Sequence, residues 1–92
     1  MGMVRSVFTS GYEQLVAAVV AMRKSAGLTQ RQLAERLSRE QNFVARVEHG
    51  QRRLDLVEFV WICRACGAEP MGQIWKIVKW VGTPVAGHRS RR

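Results

Sequence analysis

Leu15, Val16, Val19, Val20 and Met22 recur at largely three- and four-residue spacing, the pattern of a helix that buries one face. The helix they predict opens at the capping-box sequence S-G-Y-E, with Ser10 as cap and Glu13 reaching back. It carries Arg23 and Lys24 near its negative end and stops at Gly27. Leu33, Ala34 and Leu37 form the apolar stripe of a second helix, for which Thr29 and Gln32 supply a capping box and Leu28 and Leu33 a hydrophobic staple. After a turn around residues 38–40, a third helix is expected over about 41–49. It buries Phe43, Val44 and Val47 and ends at Gly50. Two helices this short bury little by themselves, so flanking helices must supply the floor beneath them.

The pattern then changes. A basic loop, Gln51-Arg52-Arg53, leads to Asp55 and Glu58 as the box of a fourth helix, with Leu54 and Phe59 as its staple. That helix, over 56–66, is apolar on nearly every face and leaves only Glu58 and Arg64 to solvent. Pro70 suits the first position of a fifth helix, and 71–81 again carries more large apolar groups than a lone surface helix needs. Something beyond the core of one chain is therefore expected to cover Trp61, Ile74, Trp75, Ile77, Val78 and Val81, with a seam between two copies as the favoured cover. The domain layout that follows is a loose arm over 1–9, a helical domain over 10–81 and a basic flexible tail over 82–92. Within the domain, paired helices occupy 29–49 and helices for core and dimer contact occupy 55–81.

Ninety-two residues make a single domain, and one of this size buries only about 60 to 65% of its unfolded surface. Partnering would widen its stability margin. Fifteen Lys and Arg against seven Asp and Glu give +8, and twelve of the bases are Arg, the side chain suited to bidentate contact with phosphate and guanine. This balance points to a polyanion without naming which. Two cysteines, Cys63 and Cys66, cannot build a disulfide framework, and one turn apart in an apolar helix they read as small core hydrophobes. No metal or cofactor is expected. The start lacks the apolar stretch of a signal peptide, and no run approaches the roughly 18 apolar residues of a membrane span. A cytoplasmic protein is expected.

The residues L-T-Q-x-x-L-A-x-x-L, followed by Q-x-x-V-x-x-V-E-x-G, resemble the phage repressor/Cro type of helix-turn-helix found in XRE-like bacterial and phage regulators. The likeness spans roughly 16–77, and the later segment E-H-G-Q-R-R-L-D-L-V-E-F-V-W-I-C-R-A-C-G-A-E-P is similar to a common subgroup. It implies an all-α, five-helix, lambda-repressor-like DNA-binding domain whose third helix lies in the major groove. By position in the motif, Gln41 and Asn42 would read bases first, and Ala45 and Arg46 would face the groove one turn on. Gln30 would bond a phosphate and brace the first recognition residue, and Arg23 with Glu48 would form an inner structural ion pair. Ser38 stands where the family usually has Gly, so a wider turn or a longer second helix is expected there. Glu40 stands near a usual Ser, Thr or Pro. Beside the groove it would repel phosphate unless it caps the helix or accepts a bond from cytosine.

The spacing supports this assignment independently. Residues 41, 42, 45 and 46 fall on one helical face, away from Phe43, Val44 and Val47, so the polar side stays free when the apolar side is buried. Gln can bond adenine, and Arg guanine, through two hydrogen bonds, each pairing discriminating by about 1 to 3 kcal/mol. Arg39, Arg52 and Arg53 flank that helix, where phosphates would pass. Plainer roles stand beside these: Arg46 bonding Asn42 or pairing with Glu13 or Glu48, Arg52 and Arg53 as solvated surface, and the terminal arginines as a solubilising tail. No Ser-His-Asp or Cys-His arrangement, phosphate-binding Gly loop or carboxylate pair suggests an enzyme. The expected function is a regulator, a repressor acting as a homodimer on an inverted repeat in double-stranded DNA. No ligand-sensing domain is expected, and control through concentration, a partner protein or a competing regulator is expected instead. The alternative is an antitoxin-like adaptor whose main role is to bind another protein.

Overall fold

In the computed structural model, which describes residues 10–82, five helices follow in order: α1 (Ser10–Ser25), α2 (Gln30–Arg36), α3 (Phe43–Glu48), α4 (Leu56–Ala65) and α5 (Pro70–Val78). No strand occurs among the described residues. The arm expected over 1–9 and the tail expected over 82–92 lie outside them, apart from Gly82. α1 packs on α3, α4 and α5, α2 lies against α3 and α4, and α4 and α5 pack together. Val19, Leu33, Phe43, Val44, Val47, Ile62 and Cys63 meet at the centre, essentially without solvent contact. Each large apolar side chain there contributes about 1.5 to 3 kcal/mol by leaving water.

Local signals set most of the boundaries. The Thr29 hydroxyl accepts from Gln32 N–H at 3.0 Å while the Gln32 side chain accepts from Thr29 N–H at 2.9 Å, closing the box at the start of α2. Asp55 and Glu58 repeat the device on α4. Glu69 caps α5, with Pro70 in its first turn.

Several expectations are corrected. Ser10 is already helical, so it does not stand as a cap ahead of α1. α2 does not run on. It ends at Arg36, and Ser38 takes the left-handed conformation at φ 56° that usually falls to glycine. Two bonds hold it there, Ser38 N–H to Glu35 O at 3.0 Å and Arg39 N–H to Ala34 O at 2.9 Å. The connection is instead the wider turn that was the other alternative, 37–42, because 40–43 form a turn of their own closed by Phe43 N–H to Glu40 O at 3.0 Å. α3 therefore starts at Phe43, and Gln41 and Asn42 precede it instead of forming its first turn. α5 ends at Val78, leaving Trp80 and Val81 beyond it.

Burial supplies two further corrections. Glu58, expected in solvent, is buried. Ile77, expected in a seam between copies, is only 8% exposed and belongs to the core of the single chain. Ile74 is partly covered by the same core. Trp61, Trp75, Val78 and Val81 do face outward, and Leu56, Val57, Met71 and Trp80 join them. Where α1 begins, the fold is tight. A Cβ on Gly11 would stand 2.8 Å from Val81 Cγ2 and 3.3 Å from Trp80 O, so the absence of a side chain lets the segment after α5 lie against α1.

Candidate nucleic-acid interface

The paired helices α2 and α3 are fixed to α1 by one carboxylate. Glu48, at the end of α3, accepts from Arg23 Nε at 2.8 Å through Oε2 and from Arg23 Nη2 at 3.0 Å through Oε1. Gln30 Nε2, at the start of α2, donates to the same Oε1 at 2.8 Å, and Arg23 Nη1 reaches Leu28 O at 3.0 Å. Three helices thus meet at one little-exposed ion pair, and the Glu48 hydrogen bonds raise the Arg23 pKa above its ordinary value. The expected Arg23–Glu48 partnership is therefore present in the geometry. Gln30 spends its amide on Glu48, and no hydrogen bond joins it to Gln41.

Packing separates the residues around α3 by face. Phe43, Val44 and Val47 point into the core, whereas Gln41 and Asn42 are exposed and Ala45 and Arg46 are half-buried. The Asn42 carbonyl accepts the Arg46 N–H at 3.0 Å, which makes Asn42 the backbone cap of α3. Its side chain makes no capping bond, so its amide remains available. Arg46 pairs with Glu40, a partner the sequence did not suggest. That pairing offsets a negative charge beside a polar surface.

A second charged cluster forms at the start of α3. Glu58 Oε1 accepts from Arg52 Nη1 at 2.8 Å and Oε2 from Arg52 Nη2 at 2.9 Å, while Arg39 Nη1 reaches Oε2 at 3.4 Å. Both guanidinium groups also lie over the Phe43 ring, Arg39 at 4.2 Å and Arg52 at 5.0 Å from its centroid. The hydrogen bonds from Arg52 are the main reason the Glu58 carboxyl is held below its usual pKa. Arg53 is exposed and stacks 4.1 Å over Tyr12, whose hydroxyl accepts the Leu54 N–H at 3.1 Å. Sequence reasoning missed Glu58 in this role. Its place in a capping box was legible, but the two arginines reach it from turns whose paths depend on the whole fold.

Cys63 is buried and Cys66 half-buried, and burial pushes the Cys63 thiol up to about 11. Among the described residues no group of His, Cys, Asp and Glu gathers as metal ligands, and no helix is long and apolar enough to cross a membrane.

Comparison with known proteins agrees with this architecture. Residues 14–71 match the family model described as a helix-turn-helix domain. Among solved structures, an XRE-family like protein from Pseudomonas syringae pv. tomato str. DC3000 is 38% identical, with a TM-score of 0.72 over 78% of this chain and 88% of that one. No curated protein matches the chain. With the matched domain spanning α2, α3 and their flanking helices, the chain belongs to the XRE-like family of helix-turn-helix proteins.

Proposed function

We propose that this chain is a sequence-specific regulator of transcription that binds double-stranded DNA, acting as a homodimeric repressor on an inverted repeat. The observation that carries the reading is the division of residues 41–47. Phe43, Val44 and Val47 are locked in the core, and the side chains of Gln41 and Asn42 project from the same short segment with no bonds to other described residues. Gln41 and Asn42 read base edges, Ala45 packs in the groove, and Arg46 exchanges Glu40 for a guanine. Arg39, Arg52 and Arg53 take backbone phosphates, and a net charge of +8 favours the encounter. Gln30 acts chiefly by holding Glu48, with a phosphate contact as its second role.

The dimer part of the reading is supported by apolar surface exposed among the described residues. Trp75 is 77% exposed and Trp61 50%, and Val78 and Val81 line an apolar cleft of about 310 Å³ with Leu15, Leu56 and Phe59. Patches of this kind commonly mark interaction sites. The same side chains also favour a second reading, an adaptor that covers a different protein.

Selection of bound duplexes from a random pool tests the first reading. Enrichment of two half-sites in inverted orientation, centred about 34 Å apart, is the expected result. An unenriched pool would remove sequence-specific recognition. Salt-insensitive co-purification with an unrelated chain would instead favour the adaptor.

A further inference from the structure

The cluster of Arg39, Arg52, Glu58 and Phe43 is more ordered than a phosphate-binding surface of loose arginines would be. Arg52 grips both oxygens of Glu58 through its two Nη groups, and its Nη1 also reaches Arg53 O, which fixes the plane of the guanidinium. Arg39 shares Oε2 of the same carboxylate, and both cations lie over the Phe43 ring. Glu58 is itself anchored, because Oε1 accepts the Asp55 N–H at 3.0 Å and its own N–H donates to Asp55 at 2.7 Å. Its side chain is 9% exposed, yet those of Arg39 and Arg52 remain 32% and 35% exposed. The carboxylate is inside and the cations are at the surface. Neither Nε–H bonds to another described residue, so each guanidinium keeps a donor for an outside anion.

We infer that Glu58 and Phe43 are positioning residues that hold Arg39 and Arg52 as a preset clamp for the phosphate backbone of duplex DNA, with Gln41 and Asn42 lying in sequence between Arg39 and Phe43. This inference rests on the DNA-binding reading and adds a role for a buried acid. An arginine free in solvent loses side-chain entropy when it takes a phosphate, and one already held between a carboxylate and a ring loses less. The clamp contacts no base. It sets the register in which the start of α3 meets the groove.

The sign of one substitution separates this role from simple charge neutralisation. Glu58→Gln removes one negative charge and takes the chain from +8 to +9, that is 8 + 1. If Glu58 only offsets the arginines, the variant binds DNA more tightly. If Glu58 positions them, binding weakens despite the added charge. The probe is a random-sequence 40-base-pair duplex pool, titrated across a salt series with the full chain, because backbone contacts need no operator. The expected result is about a 5- to 20-fold loss in affinity at 0.1 M salt and a salt slope shallower by about one. Arg52→Lys, a half-exposed change that keeps the charge but lacks the planar fork, should lose a similar factor. It provides the same test if Glu58→Gln folds poorly. Glu58→Gln should add little further loss in a chain already carrying Arg39→Gln and Arg52→Gln. Unchanged or tighter binding by Glu58→Gln and Arg52→Lys, with the parent binding well, overturns the clamp and leaves the DNA reading in place. A parent chain that binds no duplex at low salt overturns both.

Discussion

Ser38 is held at φ 56°, where an L side chain crowds the following carbonyl, and glycine takes that conformation without the clash. Two backbone bonds close the turn, and Leu37 packs beside the core, so the local cost is outweighed by the bonds and burial that depend on the reversal. Ser38→Gly should therefore stabilise the chain by about 1 kcal/mol, seen as a rise in Tm of roughly 4 to 8 °C. A fall in Tm would mean that the glycine's added freedom in the unfolded chain dominates. The sequence marked this residue as anomalous for its motif but left a wider turn and a longer second helix both open, since propensity alone does not show that a non-glycine residue accepts the left-handed conformation here. Glu48 makes the opposite case. Its partner Arg23 was readable from the motif, and the pair is little exposed on both sides. Glu48→Ala should cost about 3 kcal/mol in urea melts, because it leaves the Arg23 cation part-buried and uncompensated and also frees Gln30.

At the scale of helices, the starts of α2 and α4 were legible because capping boxes and staples are local and need no knowledge of the rest of the chain. The start of α3 was not. Gln41 and Asn42 have no box partner, and the turn closed by Phe43 N–H on Glu40 O competes with a first helical turn. Most of the candidate site was readable as residue types on a face, whereas its ion pairs with Glu40 and Glu58 join residues brought together by the turns. The first turn of α4 also ties stability to pH. Arg52 lowers the Glu58 pKa in the folded chain, so folding favours the ionised form. The resulting stabilisation is fully present above the unfolded carboxyl value of about 4.3 and is lost as pH falls through the lower folded value. Glu58→Gln should be less stable than the parent by about 2 kcal/mol at pH 7, and the gap should narrow as pH falls below the unfolded carboxyl value. Thermal melts of both chains across that range test the linkage, and a gap that stays constant would remove the ion pair as its source.

Over the whole molecule, the excess of apolar residues in α4 and α5 was visible in the sequence, but the division between core and surface was not. An apolar helix with large groups on every side gives no periodic signal, and only the packing of α5 on α1 and α4 sends Ile77 inward and Trp75 outward. The outward group is what a second copy would cover. Trp75 and Val78 contribute little to the single-chain core, so Trp75→Glu with Val78→Glu should leave the fold intact while adding charge to the seam. Sedimentation at tens of micromolar should show the parent as a dimer and the double variant as a monomer with an unchanged far-ultraviolet helix signal. Because two linked recognition surfaces bind with the advantage of high effective concentration, the variant should lose about 100-fold in affinity for an inverted repeat. Its affinity for a single half-site should change little. Equal losses on both targets would place the damage in the recognition surface, and a monomeric parent would remove the homodimer from the proposed function.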